Sequence, residues 1–397
     1  MYDYISSNHH GDQTPNITHG FDRTFGPRYF HLNRGAAGTD ILTLYRDAAQ
    51  YADPTWNTAF YDSIAKHVPG YTASSGRGTF KLQVTLPSTA KRPIAVLAQN
   101  GIDFQDNVFD TKAYQYWADI NSSGQATIPQ VKAGTYRLTI YADGLFGQYI
   151  QDGVTVSASG TTTTTVSTWT EESAGTELWR IGLPDKSSGE YRHGYAVDET
   201  KTRKPEQYRV YWAHYDFIND FPNGVRFRVG TDDSATALNY VHWSVFGGKG
   251  NSIRPQMVVG TGNINNWTLV FDAAAASLQG KTEATFTVQL AGAKTAAGNT
   301  DVYNATEPHS NLKYTVNVNG KDLDPWVIPY YQSSSCAVRS AVTCYNLARK
   351  FKFATGLLKT GENTIVLSLP FGGKNAETAV LTEALYVQYD ALRLEVQ

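Results

Sequence analysis

Short runs in which apolar and polar residues alternate recur through most of this 397-residue chain, and they constrain its fold more than any other feature. In the first run, single polar residues separate Phe80, Leu82 and Val84. This spacing indicates a strand with one buried face, because successive side chains of a strand point to opposite sides. Further signals lie at 136–140, 225–229, 269–271, 286–290, 314–318, 365–369 and 391–394. The sequence therefore predicts a mainly β protein, in which Asn319-Gly320 forms a tight hairpin turn.

The length of the chain predicts two or three domains, since one domain usually takes about 100–200 residues. The sequence pattern changes twice. Helical spacing near the N terminus gives way to alternation after about residue 72, and a run of one glycine and five threonines at 160–165 predicts a linker. We therefore expect domains at 1–72, 73–165 and 166–397.

The three segments differ in the structure that they predict. The first contains a strand signal at 28–32 and two helical stretches, one of which Asp40 can cap and the other of which starts at Asp53. The second fits a small β-sandwich. The third carries the signals of about eight to ten strands, which is typical of a jelly roll.

The charge and hydropathy of the chain exclude two classes of partner. The formal net charge is -2, so no long-range field attracts nucleic acid or an anionic membrane. No apolar run approaches the length of about 18 residues that a membrane span needs. We expect a monomer that binds neither nucleic acid nor membranes.

Several features are typical of an extracellular protein. The only two cysteines, Cys336 and Cys344, lie in one short segment, where they form either a local disulfide or two reduced thiols. Met1 is followed by neither a basic nor an apolar opening, so the chain shows no signal peptide. We expect a secreted protein whose N-terminal part is missing from this sequence. Four glycosylation sequons support this interpretation, at Asn16, Asn121, Asn266 and Asn304.

Several short segments together resemble the rhamnogalacturonan lyases of polysaccharide lyase family 4. They lie at 2–9, 26–27, 73–78, 177–182, 254–256 and 389–394. The resemblance covers essentially the whole chain. It implies the C-terminal remnant of a catalytic β-sandwich at 1–72, a fibronectin-III-like β-sandwich at 73–165 and a carbohydrate-binding-like jelly roll at 166–397.

The resemblance also implies a reaction, the β-elimination that cleaves rhamnose–galacturonic acid bonds in the rhamnogalacturonan I backbone of pectin. In that family a lysine and a histidine transfer the protons, and the histidine follows a Tyr-x-Tyr pair by five residues. His9 matches this histidine, and Tyr2 and Tyr4 match the substrate-binding tyrosines. Arg23 is a further candidate for binding the uronate carboxylate.

The matching lysine falls upstream of Met1, so we expect the chain to be inactive alone. The chemistry requires no cofactor. Two alternatives remain open, a non-catalytic pair of carbohydrate-binding modules that holds pectin and a pair of domains that only scaffolds a catalytic domain.

Two groups of residues in the third segment allow a functional and a structural interpretation. Aromatic side chains there can stack on sugars or fill the core, namely Trp212, Tyr240, Trp243 and Trp326. Carboxylate pairs can hold a structural Ca²⁺ ion or only face solvent, at Asp232-Asp233 and at Asp322 with Asp324.

Overall fold

The computed structural model describes residues 19, 30–53, 55–109, 114–194, 217–243, 263–295, 311–329, 332–333, 345–369 and 386–397. Near the N terminus it contains helices α1 (Ile41–Ala49) and α2 (Thr58–Ile64), and a 3₁₀ helix follows directly (Ala65–His67). The two helical stretches predicted from spacing are confirmed. Among the described residues, no helix is both long and apolar enough to span a membrane.

The N-terminal segment packs loosely in the described part of the chain. Neither α1 nor α2 buries a side chain fully, and the Asp40 side chain makes no capping hydrogen bond. The strand expected at 28–32 is wrong where it is described, because residues 30–32 are irregular. Both Phe30 and Leu32 are exposed, so no face of this stretch is buried as a strand would require.

The second segment is a two-sheet sandwich. Its described strands are β1 (Arg77–Val84), β2 (Lys91–Gln99), β3 (Tyr116–Asp119), β4 (Gln125–Lys132), β5 (Gly134–Asp143), β6 (Tyr149–Val156) and β7 (Thr161–Val166), with 3₁₀ helices at Ser74–Gly76 and Asp106–Phe109. The sheets have the orders β4-β1-β7 and β3-β2-β5-β6. The alternating residues Phe80, Leu82 and Val84 of β1 enter the core between the sheets, as predicted.

The threonine run at 160–165 is not a linker, and that prediction is wrong. Residues Thr161–Val166 form β7, which pairs in parallel with β1 from Thr79 to Val84. Threonine is β-branched and suits a pleated strand, so low complexity here does not mean flexibility. Val166 and Trp169 are buried in the core of this sandwich, so the chain leaves it after the threonine run.

The third segment is a second and larger sandwich. Its described strands are β8 (Thr176–Ile181), β9 (Gly224–Arg228), β10 (His242–Trp243), β11 (Asn263–Ala273), β12 (Glu283–Lys294), β13 (Leu312–Val318), β14 (Lys321–Asp322), β15 (Trp326–Ile328), β16 (Leu347–Ala354), β17 (Gly361–Ser368) and β18 (Tyr386–Val396). Short helices are α3 (Phe217–Asp220), α4 (Ser234–Ala237) and α5 (Ala275–Leu278), with a 3₁₀ helix at Thr355–Leu357.

The two sheets of this sandwich enclose one large core. One sheet has the order β10-β18-β12-β16, with β8 also paired to β18, and the other has the order β14-β13-β17-β11-β9, with β15 also paired to β13. Asn319 and Gly320 have φ angles of 49° and 90° between β13 and β14, which confirms the predicted turn. Apolar side chains from both sheets pack together in the core, among them Phe271, Phe286 and Leu367.

Candidate functional site

Most of the site residues predicted in the sequence analysis lie outside the described residues and stay predictions. They are Tyr2, Tyr4, His9, Asn16, Arg23, Asn304, Cys336 and Cys344. Two of the sequons are described. The Asn121 side chain is exposed and accepts hydrogen bonds from the backbone of Ser123 and Gln125, whereas Asn266 lies in β11 opposite Ser368.

The aromatic candidates for sugar stacking in the third segment belong to its core instead. Tyr240, Trp243 and Trp326 are only 1%, 2% and 8% exposed, so their faces already pack against protein atoms. Sugar stacking is therefore wrong for these three, because filling the large sandwich takes bulky rings. Trp212 lies outside the described residues.

The carboxylates proposed as calcium ligands make local hydrogen bonds where they are described. Asp233 accepts from the backbone of Ala235 and caps α4, and Asp232 accepts from the backbone of Arg228. Asp322 accepts from the side chain of Asn317. Across the described ranges, no three His, Cys, Asp or Glu side chains cluster as a metal site would require.

A cleft with a volume of about 970 Å³ lies between the two sandwiches. One wall comes from the second segment and includes Gln105, Gln148 and Tyr149. The opposite wall comes from β12 and β16 and includes Gln289 and Ala348. We call this feature the interdomain cleft.

A side-chain clamp fixes the two walls of the interdomain cleft relative to each other. The amide of Gln105 donates to the carbonyl oxygen of Asn346 at 3.1 Å, and its oxygen accepts from the Asn346 N–H at 2.7 Å. The neighbouring Tyr345 hydroxyl donates to Asp106 at 2.6 Å. The Gln105 side chain therefore makes the two hydrogen bonds to the Asn346 backbone that a neighbouring strand would otherwise make.

A buried carboxyl group organises the floor of the cleft. Asp390 is fully buried and accepts hydrogen bonds from the N–H groups of Asp185 and Lys186 at 2.9 and 3.0 Å and from the Gln289 amide at 2.5 Å. Burial raises the pKa of Asp390 to about 7, against the opposing effect of these donors. Burial likewise raises the pKa of the neighbouring Glu190 to about 8.

Lys186 reaches the same floor from a strained backbone position. Its φ angle is 66°, a left-handed conformation that costs a residue with a side chain about 1 kcal/mol and that the Asp390 carboxyl holds in place. The half-buried side chain lines the cleft, with the ammonium nitrogen 4.8 Å from the centre of the Tyr141 ring. Burial lowers the pKa of Lys186, and the nearby Asp390 and Asp103 oppose this effect.

A basic row crosses the sheet face beside the cleft, but glutamates of the connecting segment neutralise it. Arg180, Arg393, Thr287 and Lys350 lie opposite one another on β8, β18, β12 and β16. Arg393 is buried with its guanidinium 4.2 Å from the Phe146 ring centre. From the connecting segment, Glu171 pairs with Arg180 and Arg393, and Glu172 pairs with Lys350. On the strands, Glu177 also pairs with Arg180, and Glu395 also pairs with Arg393.

The interdomain cleft therefore offers amides, hydroxyls and two ammonium groups, of which Lys350 is paired with Glu172, and this lining suits binding of a hydroxyl-rich ligand. No residue that lines the cleft was singled out from the sequence, although Asp390, which hydrogen-bonds Lys186 and Gln289 of the cleft, lies within the 389–394 motif. Linear spacing carries no signal for the others, because Gln105 and Asn346 are 241 residues apart.

Two family models match the chain, both from polysaccharide lyase family 4. Domain II of that family matches residues 87–165, and domain III matches residues 177–394, which is more than half of the chain. These matches coincide with the two sandwiches that form the walls of the interdomain cleft.

Similar proteins have names that agree with this family. The chain is 54% identical over 388 residues to the probable rhamnogalacturonate lyase C of Aspergillus oryzae, which covers 98% of this chain and 55% of that protein. It is 51% identical over 398 residues to the probable rhamnogalacturonate lyase B of Neosartorya fischeri, covering 100% and 60%. For the rhamnogalacturonate lyase B of Emericella nidulans the identity is 51% over 400 residues, covering 100% and 59%. The chain thus spans little more than half the length of these relatives, and it belongs to polysaccharide lyase family 4.

Proposed function

We propose that the protein containing this chain is a rhamnogalacturonan endolyase that cleaves rhamnose–galacturonic acid bonds in the rhamnogalacturonan I backbone of pectin. The observation that carries the proposal is the match to two domains of one lyase family, together with relatives named rhamnogalacturonate lyases. The reaction is a β-elimination, and it needs no cofactor.

The proposed reaction requires two proton transfers. A base removes the C5 proton of galacturonate, the electrons of that bond form a C4–C5 double bond, and the C4–O4 bond breaks while an acid protonates O4. His9 is the proton-transfer residue supplied by this chain, and Tyr2, Tyr4 and Arg23 bind the substrate. The partner lysine belongs to a segment outside residues 1–397, so this chain alone is expected to be inactive.

A chimera tests the proposal. The part of rhamnogalacturonate lyase B of Emericella nidulans that this chain does not match is joined to residues 1–397, and the ultraviolet absorbance of unsaturated uronate is followed on rhamnogalacturonan I. We expect the chimera to release this product and the chain alone to release none. His9→Ala should lower the rate by at least about 100-fold, the usual contribution of a general acid or base.

The matched control is His19→Ala, which removes an exposed histidine of the same segment and should leave the rate unchanged. A chimera that keeps its rate after His9→Ala would show that another residue transfers the proton. Product release by residues 1–397 alone would show that no second segment is needed.

A second candidate function is a carbohydrate-binding pair of domains that holds the pectin backbone, and the interdomain cleft favours it. We also infer that the protein is a secreted, extracellular monomer. The support for secretion is the set of four sequons, one of which, at Asn121, lies on an exposed turn where a glycan can be attached.

A further inference from the structure

We propose that the interdomain cleft is a binding subsite for an acidic oligosaccharide, in which Lys186 binds a uronate carboxylate and the amides and hydroxyls of the walls bind sugar hydroxyls. This proposal rests on the proposed function, because that function supplies the class of ligand. The proposal gives a binding role to residues of both sandwiches, for which the family match provides none.

The size and lining of the cleft suit a short oligosaccharide. Its volume of about 970 Å³ lies near the upper end of the range of about 300–1,000 Å³ typical of small-ligand sites. The ring of Tyr149 is half-buried and Ile150 is 47% exposed, so this wall offers apolar surface on which a pyranose ring can lie. Gln148 on this wall and Gln289 on the opposite wall add amide groups.

The Lys186 ammonium group can donate hydrogen bonds to a ligand. Its three N–H donors make neither a hydrogen bond nor an ion pair with the part of the chain that the structure describes, and the ammonium nitrogen lies over the Tyr141 ring. The carboxylates nearby already have partners. Asp390 accepts three hydrogen bonds, Asp143 pairs with Arg92, and Asp103 accepts from the backbone of Gln105. A ligand carboxylate can therefore bind the ammonium group without displacing an existing ion pair.

A second polar group in the cleft, the Thr287 hydroxyl, has no hydrogen-bond partner among the described residues. The Thr287 side chain is only 4% exposed, lines the cleft, and its oxygen makes no hydrogen bond with any described residue. A buried polar group without a partner is rare and costs stability, so such a group commonly marks a place where a ligand or water binds. On β12 it lies two residues from Gln289, so both side chains are on the same face of the sheet.

Both walls are held in place before any ligand arrives. Gln105 clamps the backbone of Asn346, and Tyr345 hydrogen-bonds Asp106, so ordering the site on binding costs little entropy. A rigid cleft of this kind can bind an oligosaccharide without a change of domain arrangement.

A steric pair of variants tests the location of the site. Ala348 and Ala354 are exposed on the same face of β16, but only Ala348 lines the cleft. Binding of a rhamnogalacturonan I backbone oligosaccharide to residues 1–397 is measured by isothermal titration calorimetry. We expect Ala348→Trp to weaken binding by at least about tenfold, since it fills the cleft, and Ala354→Trp to leave it unchanged. Equal affinities of the wild type and Ala348→Trp would overturn the proposal, and so would the absence of binding to the wild type.

A charge pair of variants tests the role of Lys186. Lys186→Met keeps the stem and removes the charge, and Lys313→Met does the same at an exposed position on β13 of the opposite sheet. We expect only Lys186→Met to weaken binding, by about tenfold. The loss should vanish for the same oligosaccharide with its carboxylates reduced to alcohols. A loss of equal size with the reduced oligosaccharide would show that Lys186 does not bind the carboxylate.

The hydroxyl variant separates binding from stability. Thr287→Val keeps the shape and removes a hydroxyl that no described protein group satisfies, so we expect a melting temperature that is unchanged or higher together with weaker binding. A lower melting temperature with unchanged affinity would show that the hydroxyl serves the fold.

Failure of this proposal differs from failure of the proposed function. The chain could bind the oligosaccharide, and lose this binding in the cleft variants, while the chimera releases no unsaturated product. That result would support the subsite and contradict the lyase function. The chimera could instead release product while Ala348→Trp leaves the affinity for the oligosaccharide unchanged. That result would support the lyase function and overturn the subsite.

Discussion

Removal of the Asp390 carboxyl group should destabilise the larger sandwich strongly. The carboxyl accepts from two backbone N–H groups and from the Gln289 amide, all in a fully buried place. Asp390→Ala leaves these three donors without an acceptor, at a cost of about 1–3 kcal/mol each, so we expect a loss of at least about 3 kcal/mol. Asp390→Asn keeps an oxygen for the backbone donors, and rotation of the Gln289 amide satisfies the new NH₂ group, so the loss should be about 1 kcal/mol.

The same carboxyl should make stability depend on pH. Burial raises the pKa of Asp390 from 3.8 to about 7, so between about pH 4 and about pH 7 the folded protein keeps a proton that the unfolded chain releases. This contribution to stability is complete below the unfolded pKa and is lost as pH rises through the folded value. This rise in the pKa of Asp390 corresponds to at most about 4 kcal/mol of the free energy of unfolding. Glu190, with a pKa raised to about 8, acts in the same direction.

Urea unfolding followed by tryptophan fluorescence, at a series of pH values, measures both effects. We expect the wild type to lose stability from about pH 4 to about pH 7, and Asp390→Asn to lose less over the same interval. Glu190→Gln is a companion variant, since it removes a second carboxyl whose pKa is raised by burial and should flatten the curve up to about pH 8. A slope in Asp390→Asn equal to that of the wild type would refute the reasoning.

Three further predictions, the first with its control substitution, test packing in the larger sandwich and at the cleft. Gly182→Ala should lower the free energy of unfolding in urea by about 3 kcal/mol or more, because the new Cβ would lie 2.1 Å from the Tyr191 hydroxyl and the φ angle is 80°. The control is Gly280→Ala, whose Cβ meets nothing within 4 Å at a φ of 71°, and it should cost about 1 kcal/mol. Gln105→Ala should separate the melting of the two sandwiches in calorimetry, and one cooperative transition unchanged from the wild type would contradict the clamp. Phe286→Ala should cost about 3–5 kcal/mol, since the ring is fully buried, and a smaller loss would mean that the core collapses around the cavity.

The strands could be predicted from the sequence because alternation and turn chemistry are local properties. Phe80, Leu82 and Val84 alternate with polar residues, and β1 forms with those three side chains inside. Asn319 and Gly320 tolerate left-handed backbone, so the hairpin turn forms where they stand. Composition failed for the threonine run at 160–165, because the number of threonines does not tell whether a partner strand lies alongside.

The interdomain cleft could not be predicted, because it depends on contacts between distant parts of the chain. Gln105 and Asn346 meet only after both sandwiches have folded. Lys186 stands in an irregular stretch without a recognisable motif, and it becomes a candidate ligand only when Asp390 fixes its backbone. For Trp243 and Trp326 the sequence left both sugar stacking and core packing open, because exposure, which decides between them, is not visible in a sequence.

The parallel pairing of β7 with β1 has a mechanical consequence. These are the first and last strands of the smaller sandwich, and they run side by side from Thr79 opposite Thr161 to Val84 opposite Val166. Tension along the polypeptide pulls the start of β1 and the end of β7 apart parallel to the strands, so the hydrogen bonds between them are loaded in shear and share the force. The sandwich can therefore transmit a pull between its two neighbours with little stretching.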